Sequence, residues 1–168
     1  LKNGDIVTLD ICACYKGYHG DSAWSYQIGE IDLEKQHLME YTEKALFVGL
    51  EQVETGKRIG DIGHAIQTFA ESNGLGVVRE LCGHGIGTNL HEDPDVPNFG
   101  IPNTGIKLRE GMVIAVEPML TAGSPRVEQL DDDWTVVTMD GHPAAHFEHT
   151  VVVTADGYEI LTGEWKDG

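Results

Sequence analysis

An α+β chain with an antiparallel sheet is predicted by three observations. Strand-like runs come in neighbouring pairs around tight turns, two helical stripes lie together between the pairs, and no repeat or low-complexity segment interrupts them. The length of 168 residues, with 40% hydrophobic and 23% charged side chains, suits one globular domain. Residues 5–15 are β-branched and apolar enough for a buried strand, Lys16-Gly17 supplies a turn, and 18–28 is strand-like again, so the two form a hairpin. With Lys16 and Gly17 as the two loop residues, opposed positions sum to 33. Asp21 then faces Cys12, and Asp10 lies two residues along on the same pleat face.

The segment 33–53 repeats Leu38, Tyr41, Ala45, Val48 and Gln52 or Val53 at helical spacing, and Thr55-Gly56 closes it. A second helix over 59–72 sets Ile59, Ile62, Ile66 and Phe69 on one stripe and stops at Asn73-Gly74. A short strand at 77–80, a glycine-rich loop at 83–87 and a Pro/Asn-rich stretch at 94–103 follow. The remainder reads as strands at 112–116, 134–139, 145–153 and 159–161, separated by turns such as Ala122-Gly123-Ser124-Pro125 and Ala155-Asp156-Gly157.

Charge narrows the function classes. Twenty-eight acidic against 11 basic side chains give a formal net charge of −17, which disfavours generic nucleic-acid binding, since phosphate contacts need clustered Lys and Arg. Three cysteines, Cys12, Cys14 and Cys82, do not make a secreted disulfide framework and point to a reducing cytoplasm. No apolar run approaches the roughly 20 residues that span a bilayer. The chain opens on Leu1 at the approach to a strand, which reads as a missing piece rather than a processed leader.

Four carboxylates stand in runs that otherwise read as buried strands: Asp10, Asp21, Glu117 and Glu148. Burying an unpaired carboxylate costs several kcal/mol or raises its pKa until it is neutral. Basic residues are too few to pair them one to one, whereas two divalent cations balance four carboxylates, with a neutral imidazole completing the set. His84, in Cys82-Gly83-His84-Gly85-Ile86-Gly87, is that imidazole, with small neighbours that let the backbone pass close to a metal. The loop is not a dinucleotide fingerprint, because Thr88 stands where the third glycine is needed. His37 and His64 read as helix-surface positions and His142 as a turn residue. His146 shares a pleat face with Glu148, which makes a ligand role one reading of it. Cys12 and Cys14 form a Cys-x-Cys, not the Cys-x-x-Cys of zinc or redox sites, and by default take a structural role or one that supports the site's ligands.

In order, Asp10, Asp21, His84, Glu117 and Glu148 are spaced 11, 63, 33 and 31 residues apart. This set resembles the dinuclear metal site of the pita-bread metallopeptidases, and of type I methionine aminopeptidases in particular. The surrounding words are similar too: His19-Gly20-Asp21, Cys82-Gly83-His84-Gly85-Ile86-Gly87, His91-Glu92, Glu117-Pro118-Met119, Trp134-Thr135-Val136 and Glu148-His149-Thr150. The likeness runs through nearly the whole chain, which makes residues 1–168 a single catalytic metal-binding domain, the C-terminal portion of a pita-bread fold.

The resemblance implies that Asp10 chelates one metal, that His84 and Glu117 chelate the other, and that Asp21 and Glu148 bridge them. Glu117 would also shuttle a proton and His91 would donate to the oxyanion, while Leu90, Met119 and Trp134 match positions close to the substrate. Oxygen donors with one nitrogen suit Mn²⁺, Fe²⁺, Co²⁺ or Zn²⁺. The implied activity is removal of the N-terminal initiator methionine from nascent polypeptides by a cytoplasmic monomer. Docking near the ribosome would need a local patch or a segment upstream of Leu1. The family's catalytic histidine before the strand of Asp10 has no counterpart in the chain, so the 168 residues alone are expected to hydrolyse weakly or not at all. An Xaa-Pro exopeptidase of the same fold and a non-catalytic protein-binding module are the alternatives.

Overall fold

The computed structural model describes residues 1–163. Strands β1 (Ile6–Tyr15) and β2 (Tyr18–Gln27) form a hairpin closed by Lys16 and Gly17, whose φ angles of 51° and 84° suit a type I′ turn. The register opposes Cys12 to Asp21 and Asp10 to Ala23, as the pair sum requires. Burial departs from the expectation. Residues 9–15 of β1 are exposed, because β1 is the outer strand of a two-stranded sheet and it is β2 that turns Asp21, Ala23 and Ser25 into the interior.

Helix α1 (Leu33–Leu50) starts at Asp32, whose side chain accepts the Lys35 N–H as an N-cap. It ends three residues before the predicted 53, where Gln52 and Val53 bond instead to carbonyls three residues back, in the tighter geometry of a terminal turn. Helix α2 (Ile59–Ser72) has the predicted bounds; Asp61 closes its first turn on the Arg58 N–H, and Gly74 at φ 76° takes the chain out.

Among the described residues, ten short strands follow: β3 (Gly76–Val77), β4 (Gly83–Gly85), β5 (Glu92–Val96), β6 (Val113–Val116), β7 (Met119–Thr121), β8 (Val127–Gln129), β9 (Val136–Thr138), β10 (Ala144–His146), β11 (His149–Thr154) and β12 (Gly157–Ile160). They assemble antiparallel as β12-β11-β6-β4-β5, β10-β7-β3 and the hairpin β8-β9. Several expectations change here: β7 and β8 stand where no strand was expected, and the strand expected at 77–80 is only Gly76–Val77. The glycine-rich segment 83–87 is not all loop, since its first half is the strand β4 held between β5 and β6. The Pro/Asn-rich stretch lends its first residues to β5. The run 145–153 is two strands, β10 and β11, broken at Phe147 and Glu148.

Ile114 and Val116 of β6 and Val151 and Val153 of β11 join Leu38, Leu46, Leu50, Ile62 and Ile66 of the helices in one core. Each such side chain taken fully out of water contributes about 1.5–3 kcal/mol. Alternate positions, among them Ala115 and Thr150, look away from the helices, and the carboxylates lie on that side.

Candidate metal centre

Glu117 follows β6 and Glu148 precedes β11, and the ladder fixes how they meet. His149 opposes Val116 and His146 opposes Met119, so paired positions sum to 265 on both sides of the break. That sum sets Glu148 against Glu117 and Phe147 against Pro118, where the Phe147 N–H reaches the Pro118 carbonyl at 3.5 Å. Two like charges opposed across a strand pair are destabilising unless something compensates. Asp21 joins them from β2, because Glu148 N–H donates to the Ala23 carbonyl at 2.8 Å and Thr150 Oγ1 accepts the Asp21 N–H at 3.0 Å.

His84 enters from β4, between Gly83 and Gly85. A Cβ on Gly83 would strike the Ala115 carbonyl and one on Gly85 the Asp93 carbonyl, so only glycine lets β4 pass this close to its neighbours. Its Nδ1 lies 2.9 Å from the Gly85 carbonyl, which makes Nδ1 the protonated nitrogen and leaves the Nε2 lone pair free. Nε2 sits 3.6 Å from Glu117 Oε1 and 3.9 Å from Asp21 Oδ2. Ligand atoms of Asp21, His84 and Glu148 all lie within 4.8 Å of one another, and all three residues are buried. Asp10 stands at the exposed rim on the face shared with Asp21.

The electrostatics show an unbalanced site. Burial, then the charges of Glu117, Asp21 and Asp10, push the Glu148 carboxyl up to about 9. Burial and then Asp10 also raise Asp21, against a lesser pull from His84. Glu148 Oε1 is buried, with no hydrogen-bond partner among the described residues. Among the described residues, the Lys and Arg salt bridges go to Asp32, Glu40, Glu54 and Glu71, none of them at the site. An orphaned carboxylate oxygen, a free imidazole nitrogen and converging acids without a basic partner fit divalent cations.

A family model described as metallopeptidase family M24 matches residues 1–155. The chain belongs to that family. It is 52% identical over 162 residues to methionine aminopeptidase 1 of Bacillus subtilis and 50% identical over 162 residues to methionine aminopeptidase of Clostridium perfringens, in each case over 96% of this chain and 65% of the relative. The M24 chain thus spans 65% of the length of these relatives. Its fold superposes with a TM-score of 0.95 on the crystal structure of methionine aminopeptidase from Thermotoga maritima, at 47% identity over 97% of this chain and 66% of that one. The prolidase of Pyrococcus horikoshii, 22% identical with a TM-score of 0.75 over 99% of this chain and 42% of that one, shares the fold. The α+β pita-bread architecture expected from the sequence is therefore the one present, and membership of this metallopeptidase family implies divalent metal ions.

The other predicted residues of the M24 chain fall differently. The His91 ring stands 4.4 Å from that of His84 and is exposed, with half-buried Leu90 beside it in sequence. Met119 lies across the ladder from His146. Trp134 is 87% exposed before β9, and an apolar groove beside Met119 and His146 is lined by Val127 and Val136 rather than by it. His37, His64 and His142 are exposed, as expected. Cys12 and Cys14 are exposed thiols, and burial, then Asp95 and Glu117, push the Cys82 thiol up. Sequence reasoning passed over Asn98, fully buried, whose amide holds the Glu117 carbonyl at 3.0 Å, and Thr150, which both donates to and accepts from the Asp21 backbone. An asparagine in a Pro/Asn-rich stretch gives no signal of burial. Thr150 could have been found from its place two residues after Glu148 on the same strand face.

No helix among the described residues is long and apolar enough to cross a membrane.

Proposed function

We propose that the protein carrying this chain is a metal-dependent aminopeptidase that removes the N-terminal methionine from nascent polypeptides, with residues 1–168 acting as one metal-binding catalytic unit. The observation that carries the reading is the register-opposed pair Glu117 and Glu148, closed by Asp21 and His84 into a cluster whose charge calls for cations. Asp10 would hold one metal, His84 and Glu117 the other, and Asp21 and Glu148 both. Two divalent ions there supply Lewis-acid polarisation of the peptide carbonyl and a water acidified towards neutrality.

The residues of the chain do the rest. Glu117, which lies between the rings of His84 and His146, carries the proton released by the attacking water to the leaving nitrogen. His91, exposed beside His84, donates to the carbonyl oxygen as it gains negative charge. Met119, which lines the apolar groove beside His146, would provide the main apolar contact for the methionine side chain, with Leu90 and the exposed Trp134 outside that groove as further contacts. The names of the relatives support methionine over proline as the determinant, as do Glu117-Pro118-Met119 and Glu148-His149-Thr150. A cytoplasmic monomer that works close to the ribosome without contacting nucleic acid is consistent with the charge of −17 and the Cys content.

The full-length protein loaded with Mn²⁺ or Co²⁺ is expected to release methionine from Met-Ala-Ser and to leave Xaa-Pro peptides intact. Preference for Xaa-Pro would overturn the reading. His91→Ala is expected to cut kcat by about 100-fold to 1,000-fold, the usual loss on removing one oxyanion donor, while metal content stays unchanged. Loss of metal in that variant would move His91 into the ligand set.

A further inference from the structure

His146 is a partly buried imidazole, its Nε2 shut off from solvent, that the ligand set above does not use. Strand β10 brings it to the site by a double clamp on β2: its N–H donates to Ser25 Oγ at 3.2 Å, and the Ser25 hydroxyl lies 2.8 Å from its carbonyl. Ser25 Oγ is in turn 2.7 Å from Thr8 Oγ1, so the clamp reaches back to β1. Across the ladder His146 opposes Met119, two residues beyond Glu117, which makes Glu117 its diagonal neighbour.

The result is a carboxylate between two imidazoles. Glu117 Oε1 faces His84 Nε2 at 3.6 Å, and Glu117 Oε2 faces His146 Nε2 at 3.2 Å. His146 Nε2 is buried and at this distance, yet it is not aligned as a hydrogen bond and, among the described residues, has no other partner. It also stands outside the group of Asp21, His84 and Glu148 whose ligand atoms come within 4.8 Å of one another. A buried ring nitrogen with nothing else to bond to is costly unless it is used.

We propose that His146 is a positioning residue for Glu117. With its proton on Nε2, the neutral ring donates to Glu117 Oε2 and restrains that oxygen, so that Oε1 alone is presented to the cation held with His84. The carboxylate would thereby offer the cation one oxygen rather than two. The interaction needs only a tautomer, not a change of charge. This inference rests on the metal reading of the site and assigns a task within it to a residue outside the ligand set.

The test uses the full-length protein loaded with Co²⁺, whose visible absorption reports coordination number and symmetry, in the wild type and in His146→Ala and His146→Gln. His146→Ala is expected to change the intensity and position of the cobalt bands. It should also weaken binding of the cation by about 10-fold to 100-fold, the usual effect of losing an outer partner of a ligand, and lower kcat more than it raises KM. His146→Gln, whose amide N–H reaches the same oxygen, should restore the spectrum and affinity to near wild type. Two outcomes overturn the proposal alone: bands and affinity unchanged in His146→Ala, or equal losses in both variants, which would make the imidazole itself a ligand. Wild-type protein that binds no cobalt overturns the metal reading and this inference with it, and is recognised before any variant is made.

Discussion

Stripping divalent cations from the protein with a chelator is expected to lower its melting temperature by at least about 10 °C at pH 7.5. A cation at about 1,000 times its Kd stabilises the folded state by roughly 4 kcal/mol per site, and a protein of this size shifts by about 2–4 °C per kcal/mol. The loss should also depend on pH in a direction that burial sets. Without metal, the Glu148 carboxyl is pushed up to about 9, whereas in the unfolded chain it ionises near 4.5. Between those values the folded state holds a proton that the unfolded state has released. The contribution of this group is therefore full below about pH 4.5 and falls as pH rises, by at most about 1.4 kcal/mol per pH unit.

His149 works the other way. Burial holds its ring below the usual histidine range, so its contribution is intact above about pH 6.5 and is lost on acidification. The clean window lies between pH 7 and 9, where melting of the chelated protein should drop steadily by differential scanning calorimetry. Metal, by favouring the ionised Glu148, should flatten that slope. A chelated protein with the same melting temperature as the loaded one would count against the assigned ligands.

Replacing Glu148 with Gln is expected to have the largest effect on catalysis. The amide keeps the shape of the side chain beside the Ala23 contact but removes the charge that faces Glu117 and Asp21. Partners one step removed from a metal are worth about 10-fold to 100-fold, so loss of a residue proposed to touch both cations should cost at least about 100-fold in Met-Ala-Ser hydrolysis. The chelated variant should nevertheless fold and should lose the fall in melting temperature between pH 7 and 9, since the carboxyl that caused it is gone. That combination separates a damaged site from a damaged fold.

Much of this site can be read from the chain because its chemistry conflicts with its surroundings. Asp10, Asp21, Glu117 and Glu148 interrupt β-branched runs, and that mismatch is visible without coordinates. The two-residue turn at Lys16-Gly17 fixes the hairpin register by arithmetic, which places Asp21 opposite Cys12. Helix α2 has the expected bounds because an apolar stripe and an Asn73-Gly74 stop agree. The break at Phe147 and Glu148 is hidden for a physical reason: the register sum of 265 continues through it, so the period-2 pattern carries no trace of the change of sheet. The strand β4 is hidden as well, since two of its three residues are glycines chosen for close approach rather than for strand propensity. The exposure of residues 9–15 is equally silent, because an outer strand and a covered one can share a composition.

The most direct test of the central claim is the number of Mn²⁺ ions bound per chain when chelated full-length protein is titrated calorimetrically. Two equivalents in the wild type, falling to one or none in Glu148→Gln, are predicted. No binding in the wild type, or two equivalents retained in the variant, would contradict the assignment of Glu117 and Glu148 as an opposed pair held together by metal.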